Sequence, residues 1–265
     1  MESSLVEVSD ALLAARRDCT PLSAFPGVLP TTLDDAYAVQ ARSTGLWGDE
    51  LVGYKVGGIP PAHRPDYEGT WLAGPIFAGQ TQSVDDGGRV EVTVYEGGFA
   101  AYEAEIVFAI TSLPTDAVTA ATAMDHVAEV RIGAEIASSP LGDINDIGPG
   151  AIISDFGNNA GLVVGPRVDP ARLDELFATT VRVEIDGEEI GAAAPKPGEE
   201  GPLGALAFLL DRLRTQGASL PEGGLMVSSG AITGVHRSEA GSTGRVDFGA
   251  FGTFDLAMVA RGPQG

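Results

Sequence analysis

The chain has 265 residues, 44% apolar and 20% charged, a globular composition that excludes a disordered protein. Its 16 Lys and Arg against 37 Asp and Glu leave a net charge of −21, which argues against any partner that presents a phosphate backbone. No apolar run reaches the roughly 18 residues of a membrane span, so neither nucleic acid nor membrane is expected as a partner. One cysteine, Cys19, rules out an internal disulfide framework and suits a reducing compartment. MESSLVEVSD lacks the cationic-then-apolar form of a secretory signal, and the expected location is the cytoplasm.

Residues 5–17 carry apolar side chains at helical spacing and end in a basic turn, Arg16-Arg17. The Pro-rich stretch 20–30 reads as a connection to a second helix over 31–43, with Thr and Asp at its start. From about residue 50 the texture changes to short strands separated by Gly and Pro. Strands are expected at 90–95, after Asp85-Asp86-Gly87-Gly88, and at 101–110, 127–137, 151–154, 161–164 and 181–186. Pro202 opens a helix that runs through LGALAFLLDRLRTQ and is closed by Gly217. GLMVSSG, RVDFG and TFDLAMVA are strand-like again. The expected class is α+β: a helical N-terminal segment, residues 1–50, packed on a β-rich body, residues 51–265.

Arginine outnumbers lysine 14 to two, so each lysine invites a reason. Lys196 lies in the acidic, Pro-rich APKPGEE and reads as solvated. Lys55 lies in the apolar strand LVGYKVGG, where desolvation is expected to ease deprotonation of its amine; a snorkelling strand-end lysine is the bland alternative. In AYEAEIVFAI, period two puts Glu103 and Glu105 on one face of a strand that is otherwise apolar on both. Such a pair either points into water at a sheet edge or needs a positive charge between its members, and a hard divalent cation such as Mg²⁺ or Mn²⁺ supplies one. In VAEVRIGAEIA, Glu135 sits among small residues and offers a third carboxylate from a neighbouring strand. Asp155, expected at the end of the 151–154 strand, could reach the same site. His63, His126 and His236 lack metal-ligand spacing, and the Gly-rich stretches match neither a P-loop nor a dinucleotide fingerprint.

The succession AYAVQ, GYKVGG, YEAEIVF, GAEIASS, ISDFGNNAGLVVG and SSGAITG resembles the 2-keto-4-pentenoate hydratase / 4-oxalocrotonate decarboxylase family of the fumarylacetoacetate hydrolase superfamily, over about residues 31–259. The resemblance implies a mixed β-sandwich or roll and a homo-oligomer. It implies Mg²⁺ or Mn²⁺ on Glu103, Glu105 and Glu135, with Lys55 as the family's lysine and Ser229-Gly230 as the turn beside the substrate. The implied activity is that of a lyase on a 2-oxo acid or its dienol: hydration of a 2-hydroxy-2,4-dienoate first, decarboxylation of a 2-oxo diacid or another 2-oxo or 1,3-dicarbonyl substrate second. A degenerate, non-enzymatic partner subunit is the competing reading, against which the intact carboxylates and lysine speak. Three stretches depart from the family pattern: Gly58-Ile59-Pro60 after the lysine motif, Gly74 at an acidic position, and Ser138-Ser139-Pro140 where Asp-Ser-Arg is usual. Glycines at 58 and 74 are expected to enlarge the pocket, and Pro140 to remove a clamp on the substrate's far end. Poor turnover of the five-carbon dienoate follows from that expectation.

Overall fold

The computed structural model describes residues 2–67 and 69–263. Two helices lead, α1 (Glu2–Asp18) and α2 (Leu33–Trp47). Thr32 caps α2 by accepting from Asp35 N at 3.2 Å, a contact of a kind that contributes about 1 kcal/mol. Gly48, at φ 87°, ends it in the left-handed conformation that glycine adopts freely. Strands β1 (Leu51–Gly58), β2 (Trp71–Phe77), β3 (Thr81–Ser83), β4 (Gly88–Val94), β5 (Phe99–Ile110) and β6 (Val127–Ser139) follow. Two short helices, α3 (Ile144–Ile147) and α4 (Pro149–Ser154), then lead into β7 (Asn159–Val168). The remainder is α5 (Leu173–Ala178), β8 (Val181–Ile185), β9 (Glu188–Ala193), α6 (Pro202–Thr215), β10 (Leu225–Ser228), β11 (His236–Arg237), β12 (Thr243–Asp247) and β13 (Thr253–Ala260).

One mixed sheet has the order β2-β1-β10-β5-β6-β7-β3, with β11 added on β5; the second has the order β4-β13-β12-β8-β9. The sheets and α6 share the main core, which Tyr102, Ala104, Ile106 and Phe108 of β5 enter together with Val183, Val246, Phe254 and Leu206. The opposite side of the large sheet is covered by the leading helices and α4. Ala101 and Ala137 pack there against Ala36 and Ile153, and Phe77 against Leu13 and Trp47. Hence β5 is buried on both faces, as its nearly continuous apolar run requires. The architecture is the α+β arrangement expected, a helical layer on two mixed sheets.

The stretch 151–154, Ala-Ile-Ile-Ser, expected as a strand, is helical. Gly148, at φ 103°, turns the chain, and Pro149 supplies a first helical residue that needs no N–H partner. An apolar run this short, Ala151–Ile153, fits a strand or a buried helical turn equally well, and this flanking chemistry decides it. Among the described residues no helix is long and apolar enough to cross a membrane.

Candidate metal centre

Adjacent strands build the site in register. On β5 and β6, Glu103 pairs with Glu135 and Glu105 with Gly133. On the other side, Lys55 of β1 pairs with Ser228 of β10, which pairs with Val107 of β5. Since side chains alternate across a strand, this register puts Lys55, Ser228 and all three glutamates on the helix-covered face. One oxygen from each of Glu103, Glu105 and Glu135 lies within 4.8 Å of the others. Gly133 is there for close approach, because a Cβ would meet Val163 O at 2.6 Å and Val107 Cγ2 at 2.7 Å. Ser228 Oγ donates to Glu105 Oε2, and Asn159 Nδ2 donates to Glu135 Oε1 at 3.0 Å. Lys55 Nζ lies 3.0 Å from Glu135 Oε2 and donates to Gly157 O at 3.1 Å.

Glu105 and Glu135 are 0% exposed, and Glu103 and Lys55 6%. Burial, then the charge of Glu135, pushes the Glu103 carboxyl up to about 7, against a smaller opposing pull from Lys55. Burial and the charges of Glu135 and Glu103 hold Glu105 well above the usual carboxylate range, despite the Ser228 hydrogen bond. For Lys55 the outcome opposes the expectation from sequence. Burial alone would lower its pKa, but the surrounding Glu135, Glu103 and Glu105 raise it, so the amine holds its proton. Three carboxylates against one ammonium leave two uncompensated negative charges when all are ionised. Glu105 Oε1 is buried with no hydrogen-bond partner among the described residues. An all-oxygen set with an orphaned, inward-facing oxygen fits a hard divalent cation.

Of the cluster, Lys55 and Glu103 line a cavity of about 330 Å³, together with Ser229 and Gly230. Ser229 Oγ and Asn158 Oδ1 are buried without a hydrogen-bond partner among the described residues. Trp71, Leu72, Ile152 and Ile232 give the cavity apolar walls. Its remaining lining includes Arg64 and Lys196, exposed cations that form no ion pair among the described residues.

The structure does not bring Asp155 to this cavity. Its carboxylate, 1% exposed, is taken up by Arg16 Nε at 2.5 Å and by Ser139 Oγ at 2.5 Å. The expected enlargement holds at Gly58, which lines the cavity, but not at Gly74, where a Cβ would lie 2.1 Å from Phe156 O. That space is filled by backbone. Pro140 is buried away from the cavity, and Ser138 Oγ bridges Phe99 O and Tyr95 N. Pro140 is not among the residues that line the cavity. Sequence reasoning missed Arg64, Asn158, Asn159 and Ser228; Lys196 is exposed, as expected of a solvated lysine, and it also lines the cavity. Ser228 was open to the period-two reading, since it precedes Ser229 in a strand-like run.

No protein-family model matches the chain, nor does any curated protein sequence. Solved structures do. 4-Oxalocrotonate decarboxylase from Pseudomonas putida G7, complexed with magnesium and adipate, is similar over 98% of each chain, with a TM-score of 0.76 at 19% identity. Fumarylpyruvate hydrolase from Pseudomonas aeruginosa, in complex with Mn²⁺ and pyruvate, matches 79% of this chain and 90% of its own, with a TM-score of 0.56 at 17% identity. 5-Carboxymethyl-2-hydroxymuconate delta-isomerase from Mycobacterium smegmatis matches 81% of this chain and 82% of its own, with a TM-score of 0.52 at 18% identity. At these identities the likeness is one of fold: the chain has the fumarylacetoacetate hydrolase-like fold.

Proposed function

We propose that the chain is a divalent-metal-dependent lyase acting on a 2-oxo acid or its dienol, with hydration of a 2-hydroxy-2,4-dienoate to a 4-hydroxy-2-oxo acid as the first reading. The observation that carries it is the convergence of Glu103, Glu105 and Glu135 beside Lys55, with Glu103 and Lys55 lining a cavity. Mg²⁺ and Mn²⁺ in neighbours of the same fold support the choice of ion. When bound, such an ion is a Lewis acid that polarises the carboxylate and 2-oxygen of a 2-oxo acid.

The chain's own residues do the rest. Glu103, Glu105 and Glu135 hold the cation. Lys55, whose Nζ lies 3.0 Å from Glu135 Oε2, offers a hydrogen bond to the oxygen on which charge develops as the dienol ketonises. Ketonisation moves a proton from the 2-hydroxyl to C5, and water then adds its OH at C4 and its proton at C3. Ser229 Oγ and Asn158 Oδ1, in the cavity lining and without a hydrogen-bond partner among the described residues, offer polar groups to that water, which supports the hydration reading. The walls of Trp71, Leu72 and Ile152 shield the diene.

Decarboxylation of a 2-oxo diacid is the second reading, favoured by Arg64 and Lys196. In a chain of net charge −21, two cations that form no ion pair among the described residues and line one cavity suit a distal carboxylate. The test is incubation of the Mn²⁺-loaded protein with 2-hydroxypenta-2,4-dienoate and, separately, with 2-oxo-3-hexenedioate, following dienol absorbance and CO₂ release. Loss of dienol absorbance without CO₂ supports hydration, and CO₂ from the diacid supports decarboxylation. Inertness towards both, with no Mn²⁺ bound, overturns the proposal.

A further inference from the structure

The turn that presents Gly157 and Asn159 to the acidic cluster has an uncommon backbone. Phe156, Gly157 and Asn158 hold φ of 56°, 68° and 63° in succession. Asparagine visits this left-handed conformation readily, but a bulky residue such as Phe156 adopts it only where its surroundings impose it. Gly74 leaves room for the turn on one side. On the other, a single guanidinium grips both of its ends. Arg16 of α1, 1% exposed, donates to Asp155 Oδ1 from Nε at 2.5 Å and to Asp155 Oδ2 from Nη2 at 3.0 Å. Nη2 also reaches Asp155 O at 3.0 Å and Ser138 O at 3.2 Å, while Nη1 donates to Asn159 O at 2.9 Å. The Phe156 ring lies 5.0 Å from the same guanidinium.

Two polar groups of this turn touch the cluster. Gly157 O accepts from Lys55, and Asn159 Nδ2 donates to Glu135 Oε1 at 3.0 Å and to Gly161 O at 3.2 Å. With Oε1 of Glu135 engaged in this way, its other oxygen, Oε2, faces Lys55.

We propose that Arg16 and residues 155–159 form a positioning device for the metal centre, in which Arg16 fixes the turn and the turn fixes Glu135 and Lys55. The leading helix thereby sets the affinity of a site to which it contributes no ligand. This rests on the reading that the cluster binds a divalent cation. Partners that orient a metal's ligands typically change its affinity by about 10–100-fold when removed.

The experiment is Mn²⁺ titration of the metal-stripped full chain, comparing wild type with Asn159→Ala, Arg16→Lys, Asp155→Asn, the double variant Asp155→Asn/Asn159→Ala, and Leu12→Ala. Asn159→Ala deletes the donor to Glu135 but keeps the carbonyl that Arg16 holds. Leu12 is buried between α1 and α2 and serves as a control for lost stability alone. The expected result is Mn²⁺ affinity lowered about tenfold or more by Asn159→Ala, Arg16→Lys and Asp155→Asn, with the double variant close to Asn159→Ala alone because both act along one path. Leu12→Ala should lower the unfolding temperature and leave affinity unchanged. Wild-type affinity in Asn159→Ala, or an equal loss in Leu12→Ala, overturns the proposal while leaving the metal site standing. Absence of Mn²⁺ binding in wild type overturns the functional reading and this inference together. Where the clamp variants fail to fold, Asn159→Ala against Leu12→Ala decides.

Discussion

Glu103 and Glu135 are directly opposed, Cα to Cα, on neighbouring antiparallel strands, and both are buried. Like charges in that relation destabilise a sheet, and burial sharpens the conflict. Glu103→Gln should therefore stabilise the metal-free protein, by about 1 kcal/mol or more near pH 8, where the native carboxylate is ionised. Calorimetric unfolding of the two metal-free proteins measures this. A variant less stable than wild type would show that Glu103 is satisfied as it stands.

The same carboxyl sets a pH dependence. Its folded pKa, pushed up to about 7 by burial and Glu135, lies above the ordinary 4.5, so the native state binds this proton more tightly than the unfolded chain. Its stabilising contribution is full below the unfolded value and is lost as pH rises through about 7. The metal-free protein should unfold at a higher temperature near pH 5.5 than near pH 8, by a margin that shrinks in Glu103→Gln. Added Mg²⁺ should stabilise more near pH 8, where protons no longer compete for the oxygens. Melting curves of wild type and variant at both pH values, with and without Mg²⁺, supply the comparison.

Lys55→Met retains the aliphatic stem and removes the charge that Glu135 faces at 3.0 Å. Turnover should fall about 10²–10⁴-fold while Mn²⁺ still binds. The metal-free variant should be less stable than wild type, because a buried carboxylate loses its counter-charge, and Mn²⁺ should restore most of the difference. Near-normal kcat would reduce Lys55 to a packing residue.

Arg64 and Lys196 make a separable claim about the substrate's far end. Lys196→Ala and Arg64→Ala should each raise KM for a 2-oxo diacid about tenfold and leave KM for a monoacid within about twofold, since each removes about 1.4 kcal/mol of contact to the second carboxylate alone. Equal effects on both substrates would place these cations outside the recognition of that group.

Much of the site was legible because strand periodicity is local. Glu103, Glu105 and Glu135 each stand out as a charge on an apolar strand, and Lys55 as one of two lysines in an arginine-rich chain. What stayed hidden depends on contacts distant in sequence. Arg16 looks like a routine basic residue at a helix end, yet its partner Asp155 is 139 residues away. Asn159 gains meaning only when β7 lies beside β6 and brings its amide to Glu135. The raised pKa of Lys55 likewise reverses a rule of burial because three carboxylates gather around it. The strand expected at 151–154 failed for a local reason, since Gly148-Pro149 starts a helix more strongly than three apolar residues specify a strand.

The central claim is that Glu103, Glu105 and Glu135 form one divalent-cation site. Calorimetric titration of the metal-stripped chain with Mn²⁺ near pH 8, wild type beside Glu105→Ala, tests it most directly, because binding needs no knowledge of the substrate. The expected result is one Mn²⁺ per wild-type chain and none in a Glu105→Ala variant that stays folded. Wild type that takes up no Mn²⁺, or Glu105→Ala that binds it with unchanged affinity, would contradict the assignment.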